Sequence, residues 1–397
     1  MKKIKISQVA KINSDSIKGN IEDTILYLDT SSVTKGIFSE PQILNSKNDK
    51  IPSRAKRKVR ENTILISTVR PNLCHFGIIK KPKKNLIVST GFVTIDASPE
   101  LIDANYLYYL LTSNDTIKYL DKIASTSVSA YPSFTPNDIK NYEISIIENI
   151  NFQKKIGNLL YKIEEKIELN NKINSELEVM AKIIYDYWFL QFEFPNEEGK
   201  PYKSSGGKMV WNDEVKREIP EGWEVRKLED YCNIFTGRKD VNQALEKGKY
   251  KFYSCSPNYK FSNDKLYEGK AILIAGNGSY TGRTIFVNEA IDLYQRTYAC
   301  VSKNTLEYME YLYYTLLKFF VPIVSGGTHG SAIPYIVLND IAKQKILINK
   351  SIVEKFQDIL VPIQNKIFKL KLENEELTSL RDFLLPLLMN GQVGFKE

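Results

Sequence analysis

The chain has 397 residues, too many for one ordinary hydrophobic core, so two or more domains are expected. With 43% hydrophobic and 26% charged residues and no run near ~18 apolar residues, it reads as a soluble, cytoplasmic protein without signal peptide or membrane span. The net charge of +8 permits a polyanionic partner, and the scattered Cys74, Cys232, Cys255 and Cys300 fit reduced thiols rather than a disulfide frame or zinc site.

In chain order, the first segment of marked character is "KNDKIPSRAKRKVREN" (Lys47–Asn62), which carries Arg54, Lys56, Arg57, Lys58 and Arg60. Such a run is either a solvated loop or a set of phosphate contacts, and both readings stay open. Further on, an aromatic helical word, "YLYYLL" (Tyr106–Leu111), precedes a loop of small residues (Ala124–Phe134), "NDI" (Asn137–Ile139) and a strand-like "YEISII". The same parts recur in the same order as "YLYYTL" (Tyr311–Leu316), "SGGTHGSAIPYI" (Ser325–Ile336), "NDI" (Asn339–Ile341) and "QKILI". One repeated word would be noise, whereas this ordered set is a duplication.

The segments that follow the two copies match at a constant offset of 200. Apolar rows seven residues apart run through Ile156, Leu160, Ile163, Ile167, Leu177 and Ile184, and through Phe356, Leu360, Ile363, Ile367, Leu377 and Leu384. A seven-residue apolar repeat marks helices that pack along their length. Each helix spans roughly 35–40 residues, or about 55 Å. The two are expected to pack antiparallel, with a globular unit at each end. Ser351 with Glu354 predicts a capping-box start for the second helix, Pro362 a kink, and Pro386 a bend or an end. Asn170, Asn174 and Asn374 fall on the seam, either as tolerated polar residues or as setters of register. The expected organisation is a first unit over residues 1–149, a helix over 150–191, a turn-rich connector over 192–222, a second unit over 223–350 and a helix over 351–397.

Catalytic signatures are missing from this pattern. The two histidines, His75 and His329, have no Cys, His or carboxylate at ligand spacing. "GNGSYTG" (Gly276–Gly282) fits neither dinucleotide nor Walker template and reads as a turn between the strands "AILIA" and "TIFVN". The chain reads as a binder.

Taken together, these parts resemble the DNA specificity subunit of type I restriction-modification systems over almost the whole chain. The resemblance is carried by "ILISTVRPNL" (Ile64–Leu73) with "VSTGFVTID" (Val88–Asp96), and by "AILIAGNGSYTGRT" (Ala271–Thr284) with "YQRTYACV" (Tyr294–Val301) and "GGTHGSAIPYI" (Gly326–Ile336). Its most specific part is the helix segment Phe152–Phe189, followed closely by the connector. It implies an α+β fold: two duplicated α/β recognition domains separated by two long helices that pack as an antiparallel coiled coil. Each domain would read one half of a bipartite double-stranded DNA site, and the helices would set the spacer. The candidate DNA contacts are the five basic residues above, Arg70, Asn72 and Thr90, and in the second unit Arg238, Lys239, Asn277, Tyr280, Arg283 and Arg296. The resemblance further implies a non-catalytic chain without a cofactor of its own. Its partners would be two methyltransferase subunits using S-adenosylmethionine and, through them, restriction subunits using ATP and Mg2+. The alternatives are a coiled-coil scaffold, for which the heptads suffice but the paired globular units do not, and a fused enzyme, which would need catalytic motifs.

Overall fold

The computed structural model describes residues 1–17, 22–126, 132–303, 308–320 and 335–395. The chain divides into two compact units, Met1–Glu168 with Glu375–Glu397, and Leu169–Asn374. This division differs from the chain-order boundaries expected from the sequence, because each long helix contributes one segment to each unit.

In the first unit, two four-stranded sheets hold the globular part. One contains Gln42–Asn45, Thr24–Leu28, Leu86–Ser89 and Ala55–Lys58 in that order; the other contains Ala10–Ile12, Phe92–Ala97, Thr63–Ser67 and Phe76–Ile79. Thr63–Ser67 is buried along its whole length, which explains why "TILIS" reads as a continuous apolar run. The second unit is built on one six-stranded sheet, whose longest hairpin pairs Tyr267–Ala275 with Thr284–Leu293. The strands foreseen either side of "GNGSYTG" are thus present.

Each aromatic word forms a core helix, Ala104–Leu111 in the first unit and Met309–Thr315 in the second. Tyr106 and Tyr311 are buried for one structural reason. The N–H of Ile147 donates to the Tyr106 hydroxyl at 3.2 Å, and the Tyr311 hydroxyl donates to the Leu347 carbonyl, so each ring ties its helix to the strand that leads into a long helix. Those strands, Glu143–Ile146 and Lys345–Ile348, pair antiparallel with Lys2–Lys5 and Glu224–Lys227 respectively. "NDI" lies in a short helix in both units. Its aspartate accepts the N–H at the helix start, Asp138 from Thr135 (2.6 Å) and Asp340 from Val337 (2.9 Å).

The long helices run Ile150–Tyr185, continued by a π-helical turn Asp186–Leu190, and Lys350–Met389. Both start on an asparagine cap: Asn149 Oδ1 accepts from Phe152 N (3.1 Å), and Asn349 Oδ1 from Ile352 N (3.2 Å). The cap is therefore Asn349 rather than Ser351, two residues earlier than the sequence suggests. The second helix continues through Pro362 and past Pro386 to Met389, so Pro386 does not end it.

All twelve apolar residues assigned to the seam are buried or half-buried. In the first unit Ile156 and Leu160 share a core with Leu384, Leu388 and Met389, and Arg381 pairs with Glu164 at 3.5 Å. In the second unit Ala181, Tyr185 and Trp188 share a core with Phe356 and Leu360, and Asn170 Nδ2 donates to Glu373 Oε2 and Asn374 Oδ1, both at 2.9 Å. Within each unit, residues later in one helix meet residues earlier in the other, which is antiparallel packing. The connector is more ordered than its turn residues suggest. It forms the hairpin Met209–Asn212 with Arg217–Pro220, and Trp223 packs on Phe189, Phe192 and Phe194 with ring centroids 5.4–5.7 Å apart.

Candidate nucleic-acid interface

The two units carry one loop in common. Thr68–His75 joins the strands Thr63–Ser67 and Phe76–Ile79; Gly276–Arg283 joins Tyr267–Ala275 and Thr284–Leu293. Four backbone hydrogen bonds recur at equivalent places. Ser67 N donates to His75 O (2.8 Å) and Ala275 N to Arg283 O (2.9 Å), closing each loop. Leu73 N donates to Arg70 O (2.9 Å) and Thr281 N to Gly278 O (3.1 Å), forming the tip. Thr68 N donates to Gly91 O (2.9 Å) and Gly276 N to Arg296 O (2.8 Å), joining a neighbouring turn. Lastly, Phe134 N donates to Thr68 O (3.1 Å) and Ile336 N to Gly276 O (3.0 Å). The left-handed positions match as well, with φ of 49° and 56° at Arg70 and Cys74 against 83° and 82° at Gly278 and Gly282. A duplicated backbone thus presents two different sets of side chains.

In the first unit this arrangement brings several candidate contacts together. Arg70 and Asn72 are exposed on the loop, beside Leu73, which is 48% exposed at the tip. Thr90 lies on the neighbouring turn, and its N–H donates to Arg54 O at 2.8 Å, so Arg54 joins the same end. From there the strand Ala55–Lys58 alternates: Ala55 points inward, Lys56 and Lys58 are exposed, and Arg57 is half-buried. Arg57 Nε is buried without a partner, and burial pushes the guanidinium pKa down. Arg60 lies apart from this group, donating to Asp96 Oδ2 (2.8 Å) and Ser14 Oγ (3.1 Å). Burial raises the Asp96 carboxyl pKa, but hydrogen bonds from Arg60, Ser14 and Thr63 outweigh it and hold the pKa below the ordinary value.

In the second unit Tyr280 is 47% exposed at the loop tip, and Arg296 is exposed on the neighbouring turn. Arg238 is exposed after the strand Cys232–Thr236. Asn277 is half-buried and accepts from the Cys255 thiol at 3.1 Å. Arg283 folds back, donating to Ser256 O at 2.6 Å, and burial lowers its pKa. Lys239 is held internally by Asp264 and Asp292, both at 2.7 Å, and by Ser262 Oγ at 2.7 Å. Sequence reasoning missed Gln295, which lies on the turn corresponding to that of Thr90 and donates its N–H to Lys239 O at 2.9 Å. Only the hydrogen-bond pattern reveals that correspondence. Of the loop Gly326–Ile336, residues 326–334, including His329, lie outside the described residues, and Tyr335 and Ile336 stand against Asn277 and Gly276.

Among the described residues no group of His, Cys, Asp or Glu is placed to hold a metal ion, and no helix is long and apolar enough to cross a membrane. The arrangement is two exposed, polar and partly basic loop clusters, one per unit, suited to contacting phosphates and base edges.

Comparison with known proteins agrees with this duplication. The sequence model of the type I restriction modification DNA specificity domain matches residues 1–179 and again 220–380. The chain is 28% identical to the MjaIX specificity subunit of Methanocaldococcus jannaschii, over 85% of this chain and 79% of that one. It is 23% identical to the HindI specificity subunit of Haemophilus influenzae, across 99% of both chains. Its fold is similar to the crystal structure of a type I restriction-modification system S subunit from M. genitalium, with a TM-score of 0.64 at 18% identity over 98% of this chain and 96% of that one. With the family's domain matched twice, once on each of the units that share the loop, the chain belongs to the type I restriction-modification DNA specificity family.

Proposed function

We propose that this chain is the DNA specificity subunit of a type I restriction-modification complex, and that each unit reads one half of a bipartite asymmetric site. The observation that carries this reading is the shared loop. The same backbone exposes Arg70 and Asn72 in one unit and Tyr280, with Arg296 beside it, in the other. One scaffold with two side-chain sets suits two unlike half-sites. Basic residues such as Lys56 and Lys58 fix position on phosphates, and loop side chains discriminate bases. The chain contributes no catalytic step. Methyl transfer from S-adenosylmethionine, and any ATP- and Mg2+-dependent cleavage, belong to partner subunits. The long helices set the spacer and receive two methyltransferase subunits. Val179, Met180, Ile183 and Tyr187 support that docking role, forming an exposed apolar stripe at helical spacing.

The test is to express the chain with its methyltransferase subunits in a host lacking adenine methylation and to map methylated adenines genome-wide. A single split motif with two different halves is expected. An assembled complex that methylates a continuous site or a symmetric one refutes the reading.

A further inference from the structure

The first unit carries a hairpin where the second has only a short connection. The strands Thr24–Leu28 and Tyr250–Tyr253 hold the same place in their sheets. Each lies parallel to the strand that leads into the turn beside the recognition loop, Leu86–Ser89 or Thr284–Leu293, and antiparallel to the strand that follows it in the chain. The second unit reaches that following strand through residues 254–259, whereas the first uses residues 29–41 and builds into them the hairpin Val33–Thr34 with Ile37–Phe38. Both connections are tied to the recognition loop by the residue that closes it. His75 Nδ1 donates to Val33 O at 2.8 Å, and Arg283 Nη2 donates to Ser256 O at 2.6 Å. Two chemically different side chains at one backbone position thus make the same tie. The hairpin adds two main-chain bonds of its own, from Lys35 N to Cys74 O (2.9 Å) and from Gly36 N to Phe76 O (2.8 Å). Gly77 makes room for it: a Cβ there would meet the Phe38 ring at 2.5 Å, and the matching strand position in the second unit holds Ile285. Held in this way, the hairpin exposes Lys35 and Ile37, the latter by 70%, next to the loop on which Leu73 is 48% exposed. Apolar side chains left in water among polar and cationic ones mark a surface that contacts something.

We propose that the hairpin Val33–Phe38 is a second DNA-contacting arm of the first unit, with Lys35 on a backbone phosphate and Ile37 against an apolar part of the duplex. DNA is the occupant because the hairpin is bonded to the recognition loop itself and carries a cation in its turn. A base methyl group or a sugar supplies the apolar partner for Ile37. The second unit has no such arm, so the first half-site is held across more of the duplex than the second. The inference rests on the DNA-specificity reading above and deepens it, naming a further element of the interface and an asymmetry between the units.

The test uses the assembled methyltransferase complex on its mapped motif, with the parent chain, Lys35→Ala, Ile37→Glu or Ile43→Glu. Ile43 is the control: it is 72% exposed on the edge strand Gln42–Asn45, which pairs with Thr24–Leu28. Affinity is titrated against salt, and phosphate-ethylation interference locates the backbone contacts. Lys35→Ala should flatten the slope of log affinity against log salt by about 0.9 and abolish interference at a phosphate of one half-site only. Ile37→Glu sets a carboxylate against the phosphates and should weaken binding, more at low salt than at high salt. Ile43→Glu should match the parent in both measurements. Three results overturn the proposal: the parent's slope in Lys35→Ala, an interference pattern that Lys35→Ala leaves unchanged, or an Ile43→Glu loss equal to that of Ile37→Glu. A parent complex with no base preference anywhere would instead refute the specificity reading itself.

Discussion

Replacing Arg54, Lys56 and Lys58 together with alanine should weaken DNA binding by the assembled complex equally on all sequences. The structure selects these three from the five basic residues of the stretch between Arg54 and Arg60. They are exposed, whereas Arg57 is half-buried and Arg60 is paired with Asp96. Lys56 and Lys58 lie on one face of their strand, and Arg54 stands at its start, beside the recognition loop. Every phosphate deprived of its cationic side chain should flatten the slope of log affinity against log salt by about 0.9, so the triple variant changes it by about 2.7. Between 50 and 200 mM salt that corresponds to about 40-fold: the parent should lose that much more affinity than the variant over this range. Titrations by fluorescence anisotropy at four or five salt concentrations, on the specific site and on unrelated DNA, measure the slope directly. The companion variant, Arg57→Ala with Arg60→Ala, should leave the slope within error of the parent and lower the melting temperature instead. A triple variant with the parent's slope would return the stretch to a solvated edge. A companion variant that flattens the slope just as much would refute the division drawn from burial and pairing.

Two further outcomes follow from the ion pair and the seam. The Asp96 pKa is depressed in the folded chain, so its stabilisation is present above the unfolded pKa and is lost as pH falls through the folded one. Arg60→Ala removes one of the groups that depress it and brings the folded pKa nearer the unfolded one, so urea midpoints measured from pH 7 to pH 3 should fall by less than the parent's; at neutral pH the cost should be only about 1 kcal/mol, because Arg60 is 62% exposed. In the seam, Asn170 is fully buried with Oδ1 unpartnered, and its amide donates to Glu373 and Asn374. Replacing both Asn170 and Asn374 with leucine should raise the melting temperature while turning the single spacer of the methylated motif into a mixture, and a higher melting temperature with an unchanged spacer would show that these amides do not set register.

The parts legible in the sequence are those governed by local periodicity. The seven-residue rows reveal the seam because burial on one helix face repeats whatever the partner is. Ser351 is misplaced as the cap because asparagine and serine are both good caps, and only backbone geometry shows that Asn349 takes the role. Arg60 and Lys239 illustrate a different limit. Both lie in polar stretches where exposure is the natural expectation, yet their partners are distant in sequence, Asp96 for Arg60 and Asp264 with Asp292 for Lys239. Pairing of that kind is created by strand order, and one sequence does not encode strand order in any local pattern.

The recognition loops show why duplication can hide from sequence comparison at the place where it matters most. "ILIS" and "ILIA" match because both strands fill a core, but the eight residues after them share almost nothing. What they share is backbone: two left-handed positions, a closing bond, a tip bond and two ties to neighbouring segments. Glycine at 278 and 282 announces such a conformation, whereas Arg70 and Cys74 conceal it, since neither residue favours the left-handed region. The shared hydrogen bonds of the two loops join main-chain atoms, so the same turn is made under different side chains. That separation lets one fold present two unlike half-site readers. It also leaves the exposed side chains of the two loops unlike while the backbone that carries them stays the same.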